Sequence, residues 1–284
     1  MTESPRLDTL AAAPGKSDAW PRWFRASTAL GLVLALILVL ASLALAWRQS
    51  SLHHQELERR LGALLEAGQA EMRVWARARL DRLLTWASDP ALAALAQSPA
   101  ERDGQPAFPG LADARAHWPD LAGATLVSPQ RRNLAALDPG QVGAVNPLAD
   151  QGDLLGQVFA GRTLIAPQPP AISPDQERKN APRIVLAAPV KDGGGRVLAA
   201  LVVLSDPQTG GHGLLGFWRL GPGEGLLAFD RQGRVVASTA AGDQPSQDPG
   251  LAAAMRSGRM TEFSLAGQRR LVMGRWLPEL DLGV

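Results

Sequence analysis

The chain of 284 residues contains neither cysteine nor tyrosine. Without thiols there is no disulfide framework, no Cys-ligated metal and no Cys nucleophile. Histidine is nearly as scarce: His53, His54, His117 and His212 have no carboxylate at metal-ligand spacing on a common face, so neither a metal site nor a cofactor is expected. Ser128, Ser205 and Ser238 lack the G-x-S-x-G elbow of a hydrolase. The glycine runs Gly193–Gly195 and Gly221–Gly225 match no phosphate-binding loop and fall where turns are needed, and nothing points to an enzyme. An excess of one charge is also missing. Once Arg6, Lys16, Arg22, Arg25, Glu3, Asp8 and Asp18 are set aside, 25 basic and 24 acidic residues remain from residue 48 onward, which gives nucleic acid no electrostatic footprint.

Charge is lacking most completely between Arg25 and Arg48, where Thr28 to Trp47 reads TALGLVLALILVLASLALAW. About 20 apolar residues at 1.5 Å each span a hydrocarbon core of roughly 30 Å. Trp20, Trp23 and Phe24 on one side and Trp47 on the other suit the two lipid–water boundaries, with Arg22, Arg25 and Arg48 beside them. The pattern predicts a transmembrane helix over 27–47. Ala44-Leu45-Ala46 also has the form of a signal-peptidase site, but the apolar run exceeds the usual 7–15 residues of a signal peptide and the tail before it is long. Positive charges flank both ends almost equally. Those of the tail lie nearer the helix, which places a disordered tail (1–26) in the cytoplasm and the long C-terminal region outside, in a single-pass inner-membrane protein.

Beyond the span, Leu57, Leu61, Leu64, Gly68, Met72, Trp75, Leu80, Leu83 and Ala87 recur at steps of three and four residues, predicting a long amphipathic stalk helix within 48–99. Glu56, Glu58, Arg59, Arg60, Glu66, Glu71, Arg73, Arg77 and Asp81 occupy its other faces. Two such stripes would pair in a homodimer. Asp89-Pro90 restarts the helix and Ser98-Pro99 ends it.

Shorter segments follow. Leu111–Trp118 reads as a helix, Ala124–Val127 and Asn133–Leu137 as strands, and Asp153–Ala160 as a short helix closed by Gly161. RIVLAAPV (183–190) and RVLAALVVLS (196–205) flank a glycine turn and predict a hairpin at the centre of a sheet. Residues 214–220 are a candidate short helix. GLLAFD (225–230) and RVVAST (234–239) form a second hairpin, a helix begins at Asp248-Pro249 and stops at Gly258, and a three-stranded meander ends the chain.

These residues resemble a known family. AAPVKDGGGRVLAALVVLSD (187–206), LLAFDRQGRVVAST (226–239) and the closing MTEFSLAGQRRLVMGRWLPELDLGV (260–284), behind a membrane helix and a stalk, are similar to the double Cache sensor domain of bacterial receptors. The resemblance covers roughly residues 50–284. It implies an α+β fold with two PAS-like antiparallel-sheet modules, distal (100–207) and membrane-proximal (208–284), and a small-molecule ligand usually held in the distal one. Relatives continue into a kinase, cyclase or chemotaxis output; the sequence is then either a sensor fragment cut before its output or one whose output a partner supplies.

In members that bind amino acids, an aromatic cage with arginine clasps the carboxylate and an aspartate after the long strand anchors the amine. Asp206 matches that aspartate, although Asp-Pro also ends strands in simple turns. The tyrosines of the cage have no counterpart, which argues against an amino-acid ligand. For an anionic ligand the useful groups are Arg162, after the short helix, and Arg183, at the start of the central strand. The loop Pro167–Pro182 is a candidate to close over such a pocket, although a solvated surface loop with Arg178 and Lys179 exposed is the favoured reading, and Trp118 and Trp218 are candidates to stack on a ligand or to fill the core. The reading is a membrane-anchored extracytoplasmic sensor. A structural inner-membrane component of a pilus or secretion assembly is the alternative, disfavoured by the nearly 190 residues after the stalk.

Overall fold

The computed structural model describes residues 22–97, 116, 118–150, 153–168, 182–208, 213–216, 218, 220–221, 224–239, 249–265 and 268–284. The tail before Arg22, most of the expected 111–118 helix and the centre of the 167–182 loop lie outside them. Contacts divide the chain into two units, residues 1–57 and residues 58–284.

The first unit holds the N-terminal part of helix α1 (Arg22–Ala87). From Leu34 to Trp47 its side chains are exposed. The one hydroxyl in that stretch, Ser42, donates to the Leu38 carbonyl at 2.7 Å, so the helix satisfies it internally. Among the described residues this is the one helix long and apolar enough to cross a membrane.

In the second unit the apolar stripe of α1 is consumed by its own chain. Leu65, Met72, Trp75, Ala76, Leu83, Trp86 and Ala87 are all buried in the main core, while Arg73, Arg77 and Asp81 stay exposed. Met72 therefore cannot supply the helix pairing that the stripe by itself suggests. Asp89 caps the next helix, α2 (Pro90–Gln97), by accepting the Ala91 amide at 2.8 Å.

The larger sheet is antiparallel, with strand order β2-β1-β5-β4-β3. Its strands are β1 (Leu121–Val127), β2 (Asn133–Ala136), β3 (Leu164–Pro167), β4 (Ile184–Lys191) and β5 (Val197–Ser205). The β4–β5 hairpin lies inside the sheet, as its continuous hydrophobicity predicts, because both of its faces are covered. Leu126, Ile184, Leu186, Leu201 and Val203 join the core of α1 and α2. On the opposite face Val127, Val185, Ala187, Ala200 and Val202 pack with Leu148 and with Leu155 and Val158 of α3 (Leu154–Phe159). Gly161, at φ +88°, turns the chain out of α3 into the edge strand β3. That strand carries too few residues to announce itself by alternation.

The smaller sheet has order β10-β11-β6-β7, from β6 (Leu227–Phe229), β7 (Val235–Ser238), β10 (Trp276–Leu277) and β11 (Leu282–Gly283). Helix α4 (Pro249–Arg256) ends before Gly258, at φ +67°. The described part of 214–220 forms turns at Leu214–Gly216 rather than a helix. The expected terminal meander is divided. Among the described residues, strands β8 (Thr261–Leu265) and β9 (Gln268–Val272) pair only with each other, and the chain leaves them at Gly274, where an added Cβ would lie 2.6 Å from Met255. The absence of a side chain there lets the backbone pass against α4 on its way to β10.

Candidate functional site

On the α3 side of the larger sheet a cavity of about 300 Å³ opens between β1, β5 and the returning segment 138–148. Strand alternation builds its floor. The register pairs Thr125 with Val202 and Gly123 with Leu204, and all four line the cavity. Arg183, at the start of β4, lines it too. Its side chain is half-buried, and among the described residues it has no hydrogen-bond or ion-pair partner.

The wall is the segment after β2. Asp138 caps a 3-10 turn at Pro139–Gln141, accepting the Gly140 amide at 3.0 Å and the Gln141 side-chain amide at 3.5 Å. Asn146 is buried and fully used: its amide donates to Thr125 Oγ1 at 3.2 Å and Asn133 Oδ1 at 2.8 Å, and its carbonyl accepts the Leu148 amide at 2.9 Å. These bonds hold the wall to the floor. Gln168 completes the rim, and its carbonyl accepts from Arg234 in the β6–β7 turn at 2.5 Å. The cavity thus has a floor of strand residues, a fixed polar wall and, in Arg183, a guanidinium without a partner among the described residues, a combination suited to a small molecule bearing an anionic group.

Arg162 does not share this cavity. It is exposed beyond α3, with its backbone amide bonded to the Gln157 carbonyl at 3.1 Å. Its neighbours Gly161 and Thr163 line a larger hollow of about 710 Å³ between the end of α1, α2 and the β4–β5 turn. Apolar groups such as Leu84, Ala93 and Pro189 form most of that hollow, and its one cation among the described residues, Lys191, is exposed. Asp206 lies just past β5 and does not line the Arg183 cavity: its carboxylate accepts the Gln208 amide at 2.9 Å in a turn, and its own amide donates to the Asp120 carbonyl at 2.8 Å. Trp118 and Trp218 are absent from the lining as well. Of the three residues marked in the sequence, the structure brings Arg183 alone to the cavity. Thr125, Asp138, Gln141 and Asn146 are lining groups that sequence reasoning misses, while Gln168 belongs to the loop singled out in the sequence. The Asp-Pro-Gly turn at 138–140 is a signal for the first of the wall residues, whereas nothing local points to Asn146.

Beside the cavity lies a buried ion pair. Arg79 of α1 donates to Asp120 Oδ1, and Ser205 donates its hydroxyl to Asp120 Oδ2. All three residues are nearly inaccessible. The Arg79 guanidinium sits 5.8 Å from the Trp75 ring centroid and 5.5 Å from that of Trp118. Burial lowers the pKa of Arg79, and the Asp120 charge opposes that shift.

No protein-family profile matches the chain, and no curated protein does. Solved structures do. The ligand-binding domain of the Campylobacter jejuni chemoreceptor Tlp3, in complex with 4-methylisoleucine, matches with a TM-score of 0.53 and 13% identity over 80% of this chain and 88% of that one. The chain has the double Cache fold. Further structural neighbours are the ligand-binding domain of the Pseudomonas aeruginosa amino-acid chemoreceptor PctB in complex with L-Arg (TM-score 0.51, 16% identity, 81% of this chain and 94% of that one covered) and the Vibrio cholerae histidine kinase DctB sensor domain (0.51, 15%, 79% and 96%). At such identities the likeness concerns the fold and carries no residue-level role.

Proposed function

We propose that this chain is a membrane-anchored extracytoplasmic sensor that binds a small anionic molecule in its distal module (100–207) and conveys occupancy through α1 to the bilayer. The observation that carries the reading is Arg183: a half-buried guanidinium without a partner among the described residues, in a cavity floored by the central strands. An arginine in such a place gains a bidentate partner when a carboxylate enters. The fold is shared with sensor domains that bind 4-methylisoleucine and L-Arg, which supports a ligand-receiving role. Arg162 stands as a surface charge, and Asp206 holds the turn that ends β5.

The span at 27–47 anchors the chain in the inner membrane with its tail (1–26) cytoplasmic. The module 208–284 lies nearer the bilayer, and the chain itself performs no catalysis, its output resting with a further domain or a partner. Dimerisation uses the outward side of the stalk (48–99), where Val74 is 69% and Leu84 43% exposed.

Thermal unfolding of the full chain in detergent, with acetate, succinate, isoleucine and arginine added separately, tests the binding claim. A ligand at 100 times its Kd stabilises by about 2.7 kcal/mol. We expect at least one carboxylate to raise Tm and Arg183→Gln to abolish that rise. A rise that survives the substitution, or a flat response to every carboxylate, refutes the assignment.

A further inference from the structure

We infer that Asp120 is a positioning residue that couples the Arg183 cavity to helix α1, an inference that rests on the binding role proposed for that cavity. Strand β1 is irregular where it leaves Asp120: Leu121 pairs with Ser205, but Gly123 pairs with Leu204, so a bulge falls at 121–123. The inner side of the bulge, Ala122 and Gly123, lines the cavity together with Leu204. Packing there is close, since a Cβ at Gly123 would lie 3.3 Å from the Leu204 side chain.

The outer end of the same bulge is tied at three points. The Asp120 carboxylate holds Arg79 with one oxygen and the Ser205 hydroxyl with the other, and its backbone carbonyl holds the Asp206 amide at 2.8 Å. A molecule that spreads β1 from β5 at the bulge must shift Asp120 relative to Ser205. Arg79 follows, because a buried carboxylate that loses its cation is left uncompensated in a low dielectric. The two indoles around the guanidinium transfer that displacement to the Trp75–Arg79 turn of α1. The ion pair lies on the side of the sheet away from the ligand, so it reports on the cavity without touching its contents.

The test exploits the lack of native thiols. Thr125→Cys in the full chain, held in lipid nanodiscs, is modified with 2-sulfonatoethyl methanethiosulfonate, which leaves a sulfonate tethered in the cavity and releases methanesulfinate. Hydrogen exchange of α1 peptides within 75–87 is compared before and after modification. We expect a change of about fivefold, the lower end of ordinary coupling between sites, and its disappearance in Asp120→Asn and Ser205→Ala backgrounds modified to the same mass. The serine variant removes one hydroxyl and leaves the ion pair, so it decides the matter if the asparagine variant does not fold. A merely structural role would raise exchange before and after modification alike and leave the difference intact, which overturns the inference, as does an unchanged α1 in the parent. The binding reading is judged separately: Arg183→Gln should slow the sulfonated reagent more than neutral methyl methanethiosulfonate, and equal slowing counts against that reading alone.

Discussion

Single residues show how close the tolerances are. Gly283 in β11 lies over the Phe229 ring, where an added Cβ would come within 2.1 Å of Cζ. Gly283→Ala should therefore lower stability by about 1–3 kcal/mol, the usual cost of overpacking, read from urea midpoints. Exposed charge gives smaller effects. The Arg73 side chain donates to Glu279 Oε1 at 2.5 Å, and that hydrogen bond holds the Glu279 carboxyl below its ordinary value of 4.5. A carboxylate with a depressed folded pKa stabilises above its unfolded value and loses that contribution as pH falls through the folded one. Both side chains are about half exposed, so the pair contributes no more than about 1 kcal/mol, and Arg73→Met should flatten the acid limb of the stability curve below pH 4.5 by no more than that. Arg183 was legible in the sequence because it opens the most apolar strand pair, where a charge needs a reason. Arg79 was not. Helical spacing places it on the buried face, but nothing in the sequence pairs it with Asp120, 41 residues later.

At the scale of elements, what repeats locally was readable and what depends on return of the chain was not. The β4–β5 and β6–β7 hairpins, α3 with its Gly161 exit, and the Asp89 cap follow from alternation and turn chemistry. The cavity wall, by contrast, is made by Asn146 reaching back to Asn133 and Thr125, bonds that local periodicity does not encode. The α1 stripe was legible as a stripe, yet its partner was not: Met72 is fully buried against its own chain while Val74 projects outward. Met72→Ala should cost about 2–5 kcal/mol of stability. Val74→Asp should leave the unfolding midpoint nearly unchanged and reduce any dimer seen by sedimentation, whereas a dimer indifferent to Val74 places the contact elsewhere.

For the whole molecule, the proposed function turns on whether α1 crosses a membrane and on which side the second unit then lies. The thiol-free background makes that a direct measurement. Gly193 is an exposed turn position between β4 and β5, and Gly193→Cys should react with a membrane-impermeant maleimide on cells with a permeabilised outer membrane. Thr2→Cys, in the tail, should be labelled only after lysis. The reverse pattern would invert the topology and overturn the proposed extracytoplasmic role. The absence of tyrosine leaves the eight tryptophans as the dominant near-ultraviolet emitters. Two of them, Trp75 and Trp118, flank the Arg79 guanidinium. A cation beside an indole shifts and quenches its fluorescence, so any movement of that guanidinium should register as a change in emission from the unlabelled protein, and the molecule carries its own optical gauge.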